Sequence, residues 1–180
     1  MSMNISFDKI LDRANWVIRL DHTVYREIAN DPAATVEAAV VVAAVALASG
    51  LGAATDSFGR AILAILGAFI SWAIFSFFTY FFGKNIFGTP TTQANTETLL
   101  RTQGYARAPG VLAVFGIIPI LGWIVAFVAW IISLITAIYA IRETLGISTG
   151  RAIIIGIIAA ITSAIALGIL GLIFGVGWLY

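Results

Sequence analysis

The stretch PGVLAVFGIIPILGWIVAFVAWIISLITAIYAI, residues Pro109 to Ile141, holds no charged side chain. As one helix it would extend on the order of 50 Å at about 1.5 Å per residue, against a hydrocarbon core of about 30 Å. A single crossing cannot contain it, so the run must fold back. Pro119 and Gly122, in Ile118-Pro119-Ile120-Leu121-Gly122-Trp123, mark the turn. A chain with such a hairpin has lipid as its solvent. The composition agrees: 61% of the residues are hydrophobic and 11% are charged, roughly half the charged share of a soluble domain.

Outward from that hairpin, the same reading gives an all-α, polytopic membrane helical bundle of about five transmembrane helices, preceded by an amphipathic interfacial helix. Spans are expected at about 33–54, 61–82, 99–121, 123–141 and 152–178, with 1–31 an amphipathic segment and 32–180 the bundle. A four-span alternative treats Pro109 to Ile141 as one bent, partly re-entrant unit. The amino-terminal segment has apolar residues at helical spacing (Phe7, Ile10, Leu11, Ala14, Val17, Ile18), interrupted at Asp21. It either lies flat at the headgroups or docks on the rest of the chain. Asp31-Pro32 is a helix start, because Asp caps free amides and Pro fits the first helical position. Glu37, one turn into the first span, is expected to reach the interface. The second span carries an aromatic cluster from Phe69 to Phe82, suited to packing and to an interface belt.

Nine of the ten Lys and Arg residues fall in the amino-terminal segment, the Gly83 to Ala108 connection and the Arg142 to Arg151 turn; only Arg60 flanks the spans on the other side. By the positive-inside rule the amino terminus and those connections are cytoplasmic and, with five spans, the carboxyl terminus lies outside.

Several chemistries find no support. Without cysteine there are no disulfides, thiolate metal sites or Cys nucleophile. Gly146-Ile147-Ser148-Thr149-Gly150 matches G-x-S-x-G, yet it precedes a membrane helix and the one histidine, His22, is far away in sequence, so Ser148 or Thr149 is expected to cap the fifth span. His22 alone does not make a metal site, and no phosphate-cradling loop is present. No ionisable residue is expected at membrane depth, which disfavours coupled transport. No cofactor is implied, and nucleic acid is not an expected partner.

Leu99-Leu100-Arg101-Thr102-Gln103-Gly104-Tyr105-Ala106-Arg107-Ala108-Pro109 and Ala140-Ile141-Arg142-Glu143-Thr144-Leu145-Gly146-Ile147-Ser148-Thr149-Gly150-Arg151-Ala152, with Asp31-Pro32 ahead of the first span, resemble the Yip family, especially its bacterial members. The resemblance implies a five-span bundle with a cytoplasmic amino terminus. In eukaryotes the family acts in vesicle traffic and binds prenylated Rab-type GTPases and its own members. This chain lacks the longer amino-terminal region and the acidic Tyr-Gly motif of those proteins, which counts against GTPase binding.

The expected role is a non-enzymatic membrane scaffold or assembly protein. The alternatives are an accessory subunit of a larger, for example energy-converting or photosynthetic, complex and a permeation protein for a small solute. The expected partners are the bilayer and a membrane protein or a second copy. A cytoplasmic surface of Arg101, Tyr105, Arg107, Pro109, Arg142 and Arg151 suits anionic lipid or an acidic partner. Gly168, Gly171 and Gly175 suit close helix packing.

Overall fold

The computed structural model describes residues 6–52, 58–88, 94–118 and 120–174. Along the chain these form α1 (Phe7–Ile18), α2 (Val24–Asn30), α3 (Ala34–Gly52), α4 (Phe58–Asn85), α5 (Thr96–Ala106), a 3₁₀ segment (Ala108–Ile117), α6 (Leu121–Leu145) and α7 (Thr149–Phe174). Four helices are long and apolar enough to cross a membrane, at Ala34–Leu51, Ile62–Asn85, Gly122–Leu145 and Thr149–Ile173. They correspond to the first, second, fourth and fifth expected spans. The outward residues of α4, α6 and α7 are large and apolar, among them Leu66, Ile70, Phe77, Phe127, Ile157 and Ile165. In water such a surface would drive aggregation; in a bilayer it is the lipid-facing wall.

The expected third span, 99–121, is not one long helix. It is the eleven residues of α5 followed by the 3₁₀ segment. The break follows from Pro109, which has no N–H to donate and sits in the first turn of the 3₁₀ segment. α5 opens on a capping box: Asn95 Oδ1 accepts the Thr98 N–H at 2.8 Å, and Thr98 Oγ1 accepts the Asn95 N–H at 2.9 Å. It then runs through the middle of the bundle, packed by α3, α4 and α6, with Leu99 and Arg101 to Ala106 all buried. Gly104 is what lets α3 come so close, since a Cβ there would stand 2.6 Å from Ala38 Cβ and 3.2 Å from Ala38 O. The 3₁₀ segment continues between α3 and α6. The chain reverses after it, where Ile118 O accepts the Gly122 N–H at 2.8 Å and Ile120 takes a φ of 67°. Pro119, the other marker of that turn, lies outside the described residues.

At one end of the bundle the amino-terminal helices form a lid. α1 docks on the protein through Ile10, Arg13 and Val17, while Phe7, Leu11 and Trp16 remain exposed. The helix stops where Leu20 adopts a φ of 64°, and Asp21 accepts from the N–H and the hydroxyl of Thr23 at 2.8 and 2.6 Å, turning the chain into α2. At the start of α3, Asp31 Oδ1 accepts the Ala33 N–H at 3.0 Å. At the same end α6 terminates at Gly146, whose φ of 65° suits a residue without a Cβ. Ser148 follows, and its carbonyl accepts the Ala152 N–H of α7 at 3.0 Å. The G-x-S-x-G match is thus a link between two helices, not the strand-turn-helix of a nucleophile elbow.

Candidate functional site

Two arginines with contrasting surroundings, the buried Arg13 and the partly buried Arg107, organise the polar interior. The first, Arg13, falls on the protein-facing side of α1, one turn from Ile10 and from Val17. Its NH2 donates to Glu27 Oε1 and to Asp31 Oδ2, each at 2.7 Å, and its NH1 donates to Glu37 Oε2 at 2.5 Å. The same Glu37 oxygen accepts the Tyr105 hydroxyl at 2.7 Å, and Lys9 Nζ reaches Asp31 Oδ2 at 2.6 Å. The side chains of Arg13 and Glu37 are 3% and 2% exposed, so their charges are dissolved in one another and not in water. Burial alone would lower the Arg13 pKa; the bonds to Glu27, Asp31 and Glu37 outweigh it and raise it. The Asp31 carboxyl is held down at about 2, first by the bond from Lys9 and, against some desolvation, by Arg13 and the Ala33 N–H. Arg13 makes four hydrogen bonds, all to carboxylates, and the cluster fastens α1 to α2, α3 and α5. Glu37 is therefore not an interfacial side chain as expected. A lone carboxylate in an apolar run needs a partner, and here α1 brings one.

Other expected site residues act as further fasteners. Arg101 is buried: Nε donates to Thr35 Oγ1 at 2.7 Å, NH1 to the Ala29 carbonyl in the last turn of α2 at 3.0 Å, and NH2 to Glu97 at 2.9 Å. Trp72 Nε1 donates to the Leu100 carbonyl at 2.9 Å, and Thr136 Oγ1 to the Ala106 carbonyl at 2.8 Å. Arg142 pairs with its neighbour Glu143 at 2.6 Å and stacks over the Tyr139 ring; Arg26 reaches the other Glu143 oxygen at 2.7 Å. His22 Nδ1 lies 3.1 Å from Glu143 Oε1 without hydrogen-bond alignment. Arg151 is exposed, whereas Tyr105 and Pro109 are buried. The expected single surface of these six residues is thus divided: Arg142 and Arg151 lie toward the outside of the bundle end, and Arg101, Tyr105 and Pro109 lie within. Tyr105 went inside because its ring fills the space under α1 and its hydroxyl completes Glu37.

The second arginine is Arg107, placed at the junction of α5 and the 3₁₀ segment. Its NH2 donates to Ser71 Oγ at 3.3 Å. Among the described residues no carboxylate lies within 4.0 Å of it. It borders a cavity of about 270 Å³ with Gln103, Ser133, Val45 and Phe75 among its walls. Val45 is some 16 Å along α3 from Ala34 and Ser133 some 18 Å along α6 from Leu145, at about 1.5 Å per residue, so the cavity lies near the middle of the spans. This corrects the expectation that no ionisable group sits at membrane depth. The charge was assigned to a polar connection that the fold draws into the bundle.

Of the three glycines, Gly168 is exposed on α7 and a Cβ there would meet nothing within 4 Å; Gly171 is buried; Gly175 lies outside the described residues. Sequence reasoning missed Arg13 and Glu37 as partners. The usable signal was Glu37 itself, one acid in an apolar span, at a distance only a folded-back amino terminus could cover.

No curated protein and no solved structure matches the chain. A family model, that of the Yip1 domain, matches residues 22–177, which takes in α2 to α7, Arg101 and Arg107, and Glu27, Asp31, Glu37 and Tyr105, leaving α1 outside. With that match over most of its length and four span-capable helices, the chain is a multi-pass membrane protein that belongs to the Yip family.

Proposed function

We propose that this Yip-family protein is a non-enzymatic membrane scaffold that organises neighbours through its outer surfaces. The observation that carries the reading is the closure of the Arg13 cluster: its cation is saturated by three carboxylates and a tyrosine hydroxyl completes the buried one. Its buried members, Arg13, Glu37 and Tyr105, are engaged with one another. What the molecule offers to others lies outside, in the apolar wall and in the Arg142 and Arg151 end. Gly168, open on the outer side of α7, suits the approach of a helix from a second copy or another membrane protein. The bilayer is the first partner.

In this reading the chain crosses five times. α5 at about 1.5 Å per residue and the 3₁₀ segment at about 2.0 Å would together extend about 36 Å, enough for the third crossing. With Arg101 and Arg107 removed from the flanking charges, Lys9, Arg13, Arg19, Arg26, Lys84, Arg142 and Arg151 still oppose Arg60, which supports a cytoplasmic amino terminus and an outside carboxyl terminus. The resemblance to bacterial family members supports the bacterial cytoplasmic membrane as its location. Single cysteines at Ser57, Thr92 and the carboxyl terminus test the topology: an impermeant thiol reagent should label the first and last, and protection of the carboxyl terminus would overturn five crossings.

A second reading, an accessory subunit of a larger membrane complex, is favoured by one feature. On α6, Trp123, Phe127 and Trp130 stack in an exposed ladder with interplanar angles of 11° and 24°. Purification in a mild detergent followed by mass analysis separates the two. Self-association or isolation is expected of a scaffold, and a fixed stoichiometric set of other proteins would favour the subunit.

A further inference from the structure

Arg107 poses a problem the scaffold reading does not solve. A guanidinium has five N–H donors, and the one hydrogen bond found here is a long one to a neutral hydroxyl. A charged side chain near the bilayer centre costs several kcal/mol unless something compensates it, so such residues are paired or mark a ligand path. The carboxylates of the bundle are spoken for: Glu37 is held by Arg13 and Tyr105, Glu97 by Arg101, and Glu143 by Arg26 and Arg142. The cavity beside Arg107 is lined by two further donors, the Gln103 amide on α5 and the Ser133 hydroxyl on α6, and the Ser71 hydroxyl on α4, which accepts from Arg107, adds a third next to it. Gln103 Nε2 is only loosely engaged, 3.4 Å from the Ala137 carbonyl. Ser71 lies beside the guanidinium itself.

We propose that Arg107, with Gln103, Ser71 and Ser133, forms an intramembrane binding site for a phosphate oxyanion. The guanidinium fork binds two oxygens side by side, and a tetrahedral phosphate presents further oxygens toward donors arriving from other directions, which a planar carboxylate lacks. The cavity of about 270 Å³ admits the phosphate group with part of one ester arm, and the apolar walls at Val45 and Phe75 suit that arm. The same chemistry is offered by free inorganic phosphate and by the headgroup of an anionic phospholipid. Bound there, the anion neutralises an arginine for which no carboxylate is at hand among the described residues of the bundle, and it ties α4, α5 and α6 together across the cavity.

The test uses the full chain, purified in mild detergent and stripped of lipid. Its thermal midpoint is followed with inorganic phosphate against chloride at equal ionic strength, and with phosphatidylglycerol in phosphatidylcholine bicelles against phosphatidylcholine alone. A phosphate-bearing probe should raise the midpoint of the wild type. In Arg107→Gln the probe should bind at least about tenfold more weakly, as expected for loss of one charge-assisted bidentate contact. Arg107→Lys, which keeps the charge but not the planar fork, should retain a reduced response and covers the case in which the glutamine variant does not fold. A response to inorganic phosphate assigns the site to the free ion, and a response to phosphatidylglycerol alone assigns it to a lipid headgroup. Arg19→Gln, at the exposed end of α1, should respond as the wild type does. The proposal is overturned if neither probe shifts the wild type, or if the shift is unchanged in both Arg107 variants, or if Arg19→Gln abolishes it.

Discussion

Arg13 is buried and Arg107 partly buried, and they differ in what surrounds them. Arg13 meets three carboxylates, one of them as deeply buried as itself; Arg107 meets a serine hydroxyl and a cavity. The same side chain is therefore a structural rivet at one end of the bundle and an unsatisfied cation in its middle. A saturated charge resists removal because its partners would be stranded. An unsaturated one resists staying, and the fold tolerates it where a ligand supplies what the protein does not.

The comparison can be broken or sharpened by mutation, and the largest effect belongs to the rivet. Arg13→Met leaves Glu37 buried with only a tyrosine hydroxyl, and should lower stability in detergent by about 3–5 kcal/mol. Tyr105→Phe keeps the ring and removes the hydrogen bond to Glu37, an expected loss of about 1.5–3 kcal/mol by denaturant or thermal unfolding. Gly104→Ala sets a methyl 2.6 Å from Ala38 Cβ, so α3 and α5 must part; about 1–3 kcal/mol should be lost with no change at either arginine. The acid side of the stability profile tests Asp31. Its folded pKa of about 2 lies below its ordinary value of 3.8, so its contribution is complete above about pH 4 and is lost as the pH falls through about 2. Thermal midpoints over that range should decline in the wild type and decline less in Asp31→Asn. Lys9→Met, at the half-exposed rim, should cost less than about 1 kcal/mol. A Lys9 effect as large as that of Arg13 would mean that the cluster is governed by its surface and not by the buried Glu37.

Much of the fold was legible in the sequence because lipid imposes simple rules. Apolar runs of span length became α3, α4, α6 and α7, the length of Pro109 to Ile141 required the reversal found between the 3₁₀ segment and α6, and Asp31 accepts the Ala33 N–H just ahead of α3. The segment 99–121 was harder. Arg101, Gln103 and Arg107 make it look like a solvated connection, and only long-range partners such as Thr35, Ala29, Ala137 and Ser71 make its burial possible. Those partners are far away in sequence and leave no local periodic trace. The pairing of Arg13 with Glu37 was hidden for the same reason, since nothing within α1 distinguishes Arg13 from the exposed Arg19. Of the candidate surface, Arg142 and Arg151 lie toward the outside of the bundle end, while Tyr105 is buried, because an aromatic next to arginines suits a core as well as an interface.

The central claim, that Arg13 is saturated within the protein and Arg107 is not, is tested most directly by giving both the same substitution. Thermal midpoints of Arg13→Met and Arg107→Met would be measured side by side with lipid-stripped wild type, in detergent and without added phosphate or anionic lipid. The account predicts opposite behaviour: a clear fall for Arg13→Met, and a midpoint equal to or above the wild type for Arg107→Met, where an apolar side chain replaces an uncompensated charge. Equal losses in the two variants would contradict it, because they would mean that Arg107 is as fully paired within the protein as Arg13.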